Sequence, residues 1–574
     1  MSNHSLNQAT RDAAIRRMKQ SVEDDHKLDV LIIGGGVTGA GIALDAASRG
    51  LNTAIVEAQD WASGTSSRSS KLVHGGLRYL EMLGFKLVHE ALTERDRLVT
   101  TLAPHLVRPT PFLHPLKRPV IDRLFYGTGI ALYDLLATLR PGGRAMPWHR
   151  HMSKRSLGKV FPDVNPAAAV GAIEYWDATV DDARLVTSLV RTAAAYGAQA
   201  ASRVRVIGLH QDEMRHIEGV TLVDLETGEE FQARARTVIS ATGVWTETTQ
   251  ALASTSGLQV LASKGIHLAV PKDRIDGHRG LILRTATSVL FVIPWNRYWI
   301  IGTTDTPWTE DRTHPVPNER DIDYLLMEVN KALRAPLNRE DVVGSWAGLR
   351  PLLQPRFKPG TRSAKVSREH AVAAPMPGFV AIAGGKLTTY RVMAKDAVDF
   401  ALGTEAARKP SRTHRIPLVG AVDHGCAIMD ARRFAVRHGL PSTVSDHLVR
   451  RYGAEVAELA RLCESDPHAA KPLAHAPAYL RAEIMFAIHH EGALHLDDLM
   501  HRRTRISFEY PKLGAQAVEE IADIAQAELG WSPARRATET AAYLASAATY
   551  LLAIEQPNDD AAARARAASA ATTK

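Results

Sequence analysis

Leu28 to Ile33, LDVLII, is a short apolar run that ends directly in Gly34-Gly35-Gly36-Val37-Thr38-Gly39. The run suits a strand buried on both faces of a parallel sheet. AGIALDAASRG follows as a helix closed by Gly50, and Thr53 to Val56 forms a second strand ending at Glu57. The order is β-α-β, with glycines at positions 34, 36 and 39 of a GxGxxG spacing. Gly34 permits the tight turn, Gly36 lets the backbone approach a pyrophosphate, and Gly39 lets helix and strand pack closely. The helix start at Val37-Thr38 turns its amides toward phosphate charge. Glu57, beside Ala58, falls 23 positions after Gly34, where a carboxylate accepts ribose hydroxyls and disfavours a 2′-phosphate. The unit is read as a dinucleotide site.

An NAD domain would continue into another βα unit. Here instead comes AQDWASGTSSRSSKLVHGGLRYLE, a loop dense in Ser and Thr with two adjacent glycines. It reads as a lining for a longer cofactor, with Thr65, Ser66, Ser69, Ser70, Lys71, Leu72, His74, Gly75 and Gly76 against the pyrophosphate and flavin side of an FAD. Apolar spacing at Leu72, Leu77 and Leu80 predicts a partly buried segment.

LIIGGGVTGAGIALDAASRGL, SSRSSKLVHGGLRYLE, VDDARLV, ATGVW, FVIPW, IIGTTDT, GLRPLL and GGKLTTYR occur in this order. Together they resemble the FAD-dependent, respiratory glycerol-3-phosphate dehydrogenases, from about Leu28 to about Leu402 and more weakly beyond. The resemblance implies oxidation of sn-glycerol 3-phosphate to dihydroxyacetone phosphate, with hydride passing from C2 to FAD N5 and electrons then to a membrane quinone. It also implies a homodimer in the cytoplasm, held peripherally on the inner face of the cytoplasmic membrane.

The expected fold class is α/β. A discontinuous Rossmann-like FAD-binding domain takes residues 28–106, 177–252 and 341–404. A mixed β-sheet substrate domain takes 107–176 and 253–340, and an all-helical C-terminal domain takes 412–560. Residues 1–27 are an N-terminal extension, and the Ala-rich 561–574 are expected to fray. Further cofactor contacts are expected from Val204, from Ala241, Thr242 and Gly243, and from Gly385, Lys386, Leu387 and Thr388. HHEGALHLDDLMHRRTRIS is favoured as a solvated helix face, and APAYLRAEIMFAIHHEG as a helix.

Oxidising a secondary alcohol requires a clamped substrate and a proton acceptor. Arg78, Arg350 and Lys386 each stand beside glycine or a tight turn and are the candidate phosphate clamp. His267, in SKGIHLAV, is the candidate base. The resemblance places a His there after KGS, whereas this chain has Lys264-Gly265-Ile266. Thr304 and Asp305 are expected to orient that His or to bind glycerol hydroxyls, and Tyr79 to flank the substrate.

The remaining features set bounds. The chain has 574 residues and a formal charge of +8, which fits an anionic substrate or surface. No motif argues for nucleic acid or for a metal. Cys426 and Cys463 are too few for a disulfide scaffold and read as buried reduced thiols. His149 and His151 read as a surface loop. The N-terminus lacks an apolar h-region, and no run is long enough to span a membrane. Phe112 to Arg144 mixes cations with apolar residues and is favoured as a buried helix, with a bilayer interface as the other reading. Rival functions are an oxidase using O₂ on the same substrate, an amine or amino-acid oxidase, and a non-catalytic FAD protein.

Overall fold

The computed structural model describes residues 4–23, 26–80, 84–138, 143–285, 289–354 and 369–572, without the side chains of Arg78 and of residues 570–572. Two large sheets organise them. The first runs His370–Met376, Phe379–Gly384, Glu230–Ser240, Leu28–Ile33, Thr53–Glu57, Gln199–Ser202 in spatial order. Leu28–Ile33 is its centre, paired in parallel with Thr53–Glu57 on one side and Glu230–Ser240 on the other. That position explains why the strand is apolar almost throughout. The Val37–Ser48 helix packs between the Asp182–Ala195 and Tyr390–Leu402 helices, so nearly all of it is buried. A Cβ on Gly39 would stand 1.9 Å from Gly34 O, so helix and strand meet only because residue 39 is glycine. Ile217–Asp224 and Glu230–Ser240 form an antiparallel ribbon, with Gly228 at φ +76° in the turn between them.

The second sheet carries the strand Val260–Pro271. It pairs antiparallel with Tyr298–Gly302, Thr306–Pro307 and Gly344–Leu353. Val289–Trp295, Gly280–Arg284, Val107–Leu116, Gly171–Val180 and Leu72–Val73 extend it. Its membership departs from the expected boundaries. Leu72–Val73, the whole of Gly171–Val180 and Gly344–Leu353 belong to this mixed sheet, although most of these residues were assigned to the FAD-binding segments. Pairing decides this: Leu72 registers with Thr179, and Lys264 with Leu349.

Other expectations are corrected. The C-terminal region is helical except for a ribbon of Pro472–Leu473 and Ala476–Leu480, so APAYL is a strand and the helix begins at Arg481. The Ala-rich end forms the helix Asp559–Thr572, anchored by Ala562 against Val316 and Ala553 and by an ion pair from Asp559 to Lys264. The extension forms the helix Gln8–Gln20, whose Arg11 pairs with Asp224. Of the two thiols, Cys463 is buried but Cys426 is exposed. His151 lies in the strand Arg150–Ser153, and His149 Nδ1 is 2.7 Å from an Asp134 oxygen. The charged 490s segment is not a solvated face, because Arg502, Arg503 and Arg505 are buried against acids of the nucleotide-binding half.

Candidate functional site

The cradle follows from its glycines. Gly34 adopts φ +110°, and a Cβ there would meet Ala241 O at 2.8 Å. Gly36 stands at the N-cap of the following helix and has no side chain to cap it, so the backbone there can approach an anion closely. Ser66 Oγ accepts from Val37 N at 2.9 Å. Glu57 is held from below: its carboxylate accepts from Gly35 N at 2.6 Å and from Gln59 N at 2.8 Å. Each oxygen keeps acceptor capacity for a hydroxyl. Burial raises the Glu57 pKa against the pull of those two amides. Val204 begins the strand beside it, and Thr242 Oγ1 bonds Ser240 and Thr249 while Gly243 takes φ +57°. These residues fit a dinucleotide laid across the strand ends.

The loop after the cradle behaves differently from its expected role. Thr65 Oγ1 donates to Leu349 O at 2.6 Å, tying the loop to the strand that carries Arg350. Ser69 donates to Asp182 Oδ2 through both N and Oγ, at 3.0 and 2.7 Å. Lys71 is engaged within the chain. Its ammonium lies 2.8 Å from Asp182 Oδ1, its N donates to Ser69 Oγ, and its carbonyl accepts from Val180 N. With all three groups engaged, Lys71 is a buried strut.

His267 sits mid-strand, 2% exposed. Its ring stacks on Trp346 at 5.1 Å and 14°. Room for it comes from Gly302 in the paired strand, where a Cβ would lie 2.3 Å from the imidazole. His267 Nε2 is 2.8 Å from Ser70 Oγ, whereas Nδ1 is buried with no hydrogen-bond partner among the described residues. Burial, then the Arg350 and Lys71 cations, hold its pKa well below the ordinary value, which favours the neutral ring.

The hydrogen-bond partner of His267 comes from the loop after the cradle. Ser70, read as cofactor lining, is its hydrogen-bond partner. Thr304 Oγ1 instead accepts from Ile266 N at 3.1 Å, steadying the backbone next to His267. Asp305 faces Arg350, whose NH1 is 3.4 Å away, and accepts from Ser263 Oγ. Arg350 also donates to Thr303 Oγ1 at 2.9 Å. A Cβ on Gly265 would fall 2.5 Å from that guanidinium, so the glycine of KGIH makes its space.

The two Gly-Gly motifs meet across the sheets. His74 N donates to Thr388 Oγ1 at 3.1 Å, and that hydroxyl donates back to His74 O at 3.2 Å. Gly75 N is held by Tyr133 and Asp177. Gly76 at φ +76° and Gly384 and Gly385 at +80° and +79° form the turns. Lys386 Nζ stands 3.7 Å over the Tyr79 ring, close to where a Gly76 Cβ would be. Leu387 opens the turn that leads into the Tyr390–Leu402 helix. Arg78 lies in the turn Leu77–Tyr79, and its side chain is outside the described residues.

The sequence reading missed Asp182, Trp346 and Phe508 as parts of this site. Asp182 lies in VDDARLV, where nothing local assigns it a role, and Trp346 stands in no motif. Phe508 lies in a region without a catalytic constellation, yet packs on Trp346 at 4.7 Å.

A glycine cradle joined to a mixed sheet that brings a buried neutral imidazole and cations to the junction defines an FAD-dependent oxidoreductase. A family model described as FAD dependent oxidoreductase matches residues 29–391, and one described as the C-terminal domain of alpha-glycerophosphate oxidase matches 411–536. Glycerol-3-phosphate dehydrogenase 2 of Mycobacterium tuberculosis is 47% identical over 535 residues, covering 93% of this chain and 90% of the relative. The mitochondrial glycerol-3-phosphate dehydrogenase of Bos taurus is 37% identical over 553 residues, covering 92% and 74%. The glycerol-3-phosphate dehydrogenase of Bacillus halodurans, solved in complex with FAD, superposes with a TM-score of 0.76 at 27% identity, covering 95% of this chain and 98% of that one. The chain belongs to the FAD-dependent glycerol-3-phosphate dehydrogenase family.

Proposed function

We propose that this chain oxidises sn-glycerol 3-phosphate to dihydroxyacetone phosphate on a bound FAD and delivers the electrons to a quinone at a membrane surface. The observation that carries the reading is His267, buried in the same sheet as Arg350 and joined through Nε2 to Ser70 of the loop after the cradle, while its Nδ1 has no hydrogen-bond partner among the described residues. The bound flavin supplies the hydride acceptor. His267 takes the hydroxyl proton, its ring fixed by Ser70 and Trp346. Arg350 and Lys386 hold the phosphate, with Arg78 on the adjoining turn as the third cation. Gly34, Gly36, Gly39 and Glu57 seat the dinucleotide. Anaerobic addition of glycerol 3-phosphate to the FAD-loaded protein should abolish the flavin band near about 450 nm, a typical flavin position. An unchanged band would refute the reading. Reoxidation by a soluble quinone analogue should outrun reoxidation by O₂, and the reverse result would favour the oxidase.

The membrane part rests on the helix Ile121–Thr138. It was favoured as buried, but only one face is. Asp122, Gly127, Ile130, Tyr133 and Asp134 turn inward. Val120, Ile121, Leu124, Phe125 and Leu135 face outward, Leu124 being 67% and Phe125 61% exposed. Lys117, Arg118 and Arg123 stand at the same end. An apolar stripe edged by cations suits an anionic bilayer interface. No helix among the described residues is long and apolar enough to cross a membrane.

A further inference from the structure

We propose that Arg505 and Phe508, in the C-terminal helical region, are positioning residues for the dehydrogenase site and fix the orientation of His267 from outside the two sheets. The proposal rests on the reading of His267 as proton acceptor.

Two routes lead from these residues to the imidazole. The first is ionic. Arg505 NH2 donates to Asp182 Oδ1 at 2.6 Å, and its NH1 lies 3.4 Å from Ser67 O. Asp182 then holds the residues on both sides of Ser70. Its Oδ2 takes Ser69 N and Oγ, and its Oδ1 takes the Lys71 ammonium. Ser70, pinned between them, meets His267 Nε2 at 2.8 Å. The second route is aromatic. Phe508 packs on Trp346 at 4.7 Å, and Trp346 stacks on His267 at 5.1 Å. The routes are cross-linked, because Trp346 Nε1 donates to Ser69 O at 3.3 Å.

His267 has few other restraints. Its second nitrogen has no hydrogen-bond partner among the described residues, so one hydrogen bond and one stacked ring set the plane in which it receives a proton. Trp346 packs directly on Phe508, and the two neighbours of Ser70 are tied to Asp182, which Arg505 holds. Arg505, Asp182 and Lys71 are essentially out of solvent, so water does not replace a lost contact. A clasp serving only to join two parts of the chain would not have to converge on both supports of one imidazole. Loss of either support lets the ring drift, and small misplacements of reacting groups are costly.

The test uses full-length, FAD-loaded Arg505→Met, Arg505→Lys and Phe508→Leu, with anaerobic stopped-flow reduction by glycerol 3-phosphate expressed per bound flavin. For Arg505→Met the limiting reduction rate should fall about tenfold or more, while the half-saturating substrate concentration moves less than about threefold. Arg505→Lys should recover most of that loss, since it restores a cation to Asp182. Should Arg505→Met not yield folded flavoprotein, Phe508→Leu decides, with an expected fall of at least about threefold. Wild-type reduction rates per flavin in the deciding variant, even with a lowered Tm, would overturn the proposal. His267→Gln is measured alongside. If it reduces at the wild-type rate, the base assignment itself fails. If it is slow while the deciding variant is normal, the proposal alone fails.

Discussion

Ser70 Oγ lies 2.8 Å from His267 Nε2, joining the loop that follows the dinucleotide cradle to the Val260–Pro271 strand of the substrate sheet. One hydroxyl therefore couples the cofactor side of the site to its base. Ser70→Ala should keep its FAD, because the cradle glycines and Glu57 are untouched, yet reduce the flavin roughly tenfold more slowly, the value of about one hydrogen bond. Stopped-flow reduction per bound flavin checks this. An unchanged rate would show that Trp346 alone fixes the ring.

Buried imidazoles set the acid limit of stability. Burial is the main cause that holds His105 at about 3 and His114 and His490 at about 4, against about 6.5 in an unfolded chain. Below about 6.5 the unfolded chain takes up these protons first, so stability present above that pH is lost as pH falls. His495 has the opposite sign. Burial alone would lower it, but hydrogen bonds to Glu226 and Glu539 overcome that and push it up to about 9. Its contribution is complete below about 6.5 and is lost as pH rises from there through about 9. Thermal unfolding of the holoprotein should therefore peak in Tm near about pH 6.5 and decline on both sides. His495→Gln should flatten the alkaline limb and leave the acid limb in place. An unaltered alkaline limb would contradict the assignment.

The outward stripe of the Ile121–Thr138 helix gives the membrane reading a direct check. A Leu124→Glu, Phe125→Glu double variant changes only exposed positions, so flavin reduction should stay within about twofold of wild type. Co-sedimentation with vesicles containing anionic lipid should drop at least about tenfold, from lost apolar insertion and added like charge. Equal sedimentation of the variant and the wild type would assign membrane contact to another surface.

Much of the nucleotide half was legible because its chemistry is local. A parallel central strand must be apolar, and a pyrophosphate turn needs glycine at 34, 36 and 39, so the pattern lies within a few dozen residues. His267, Arg350 and Lys386 are proposed from motifs that each place them close to a glycine. The space those side chains occupy was not legible, since it depends on Gly302 and Gly265 facing them in the folded sheet. Strand exchange between the halves was hidden for the same reason. Leu72 and Gly344 carry no local sign of which sheet they join. The burial of Arg502, Arg503 and Arg505 ran against their sequence, because a charged segment is buried only when acids far along the chain, here Asp60, Asp181 and Asp182, are brought to meet it.

The central claim is that fixed cations grip a phosphate so that the adjacent carbinol meets His267. Flavin reduction by glycerol 3-phosphate and by glycerol, measured in wild type and in Arg350→Met, tests it most directly. The account predicts that Arg350→Met weakens kcat/KM for glycerol 3-phosphate by roughly 100-fold, the scale of a charge-assisted contact of about 3 kcal/mol, and leaves the slow reaction with glycerol nearly unchanged. An equal loss on both substrates would contradict it, because Arg350 would then act on the carbinol or the fold rather than on the phosphate.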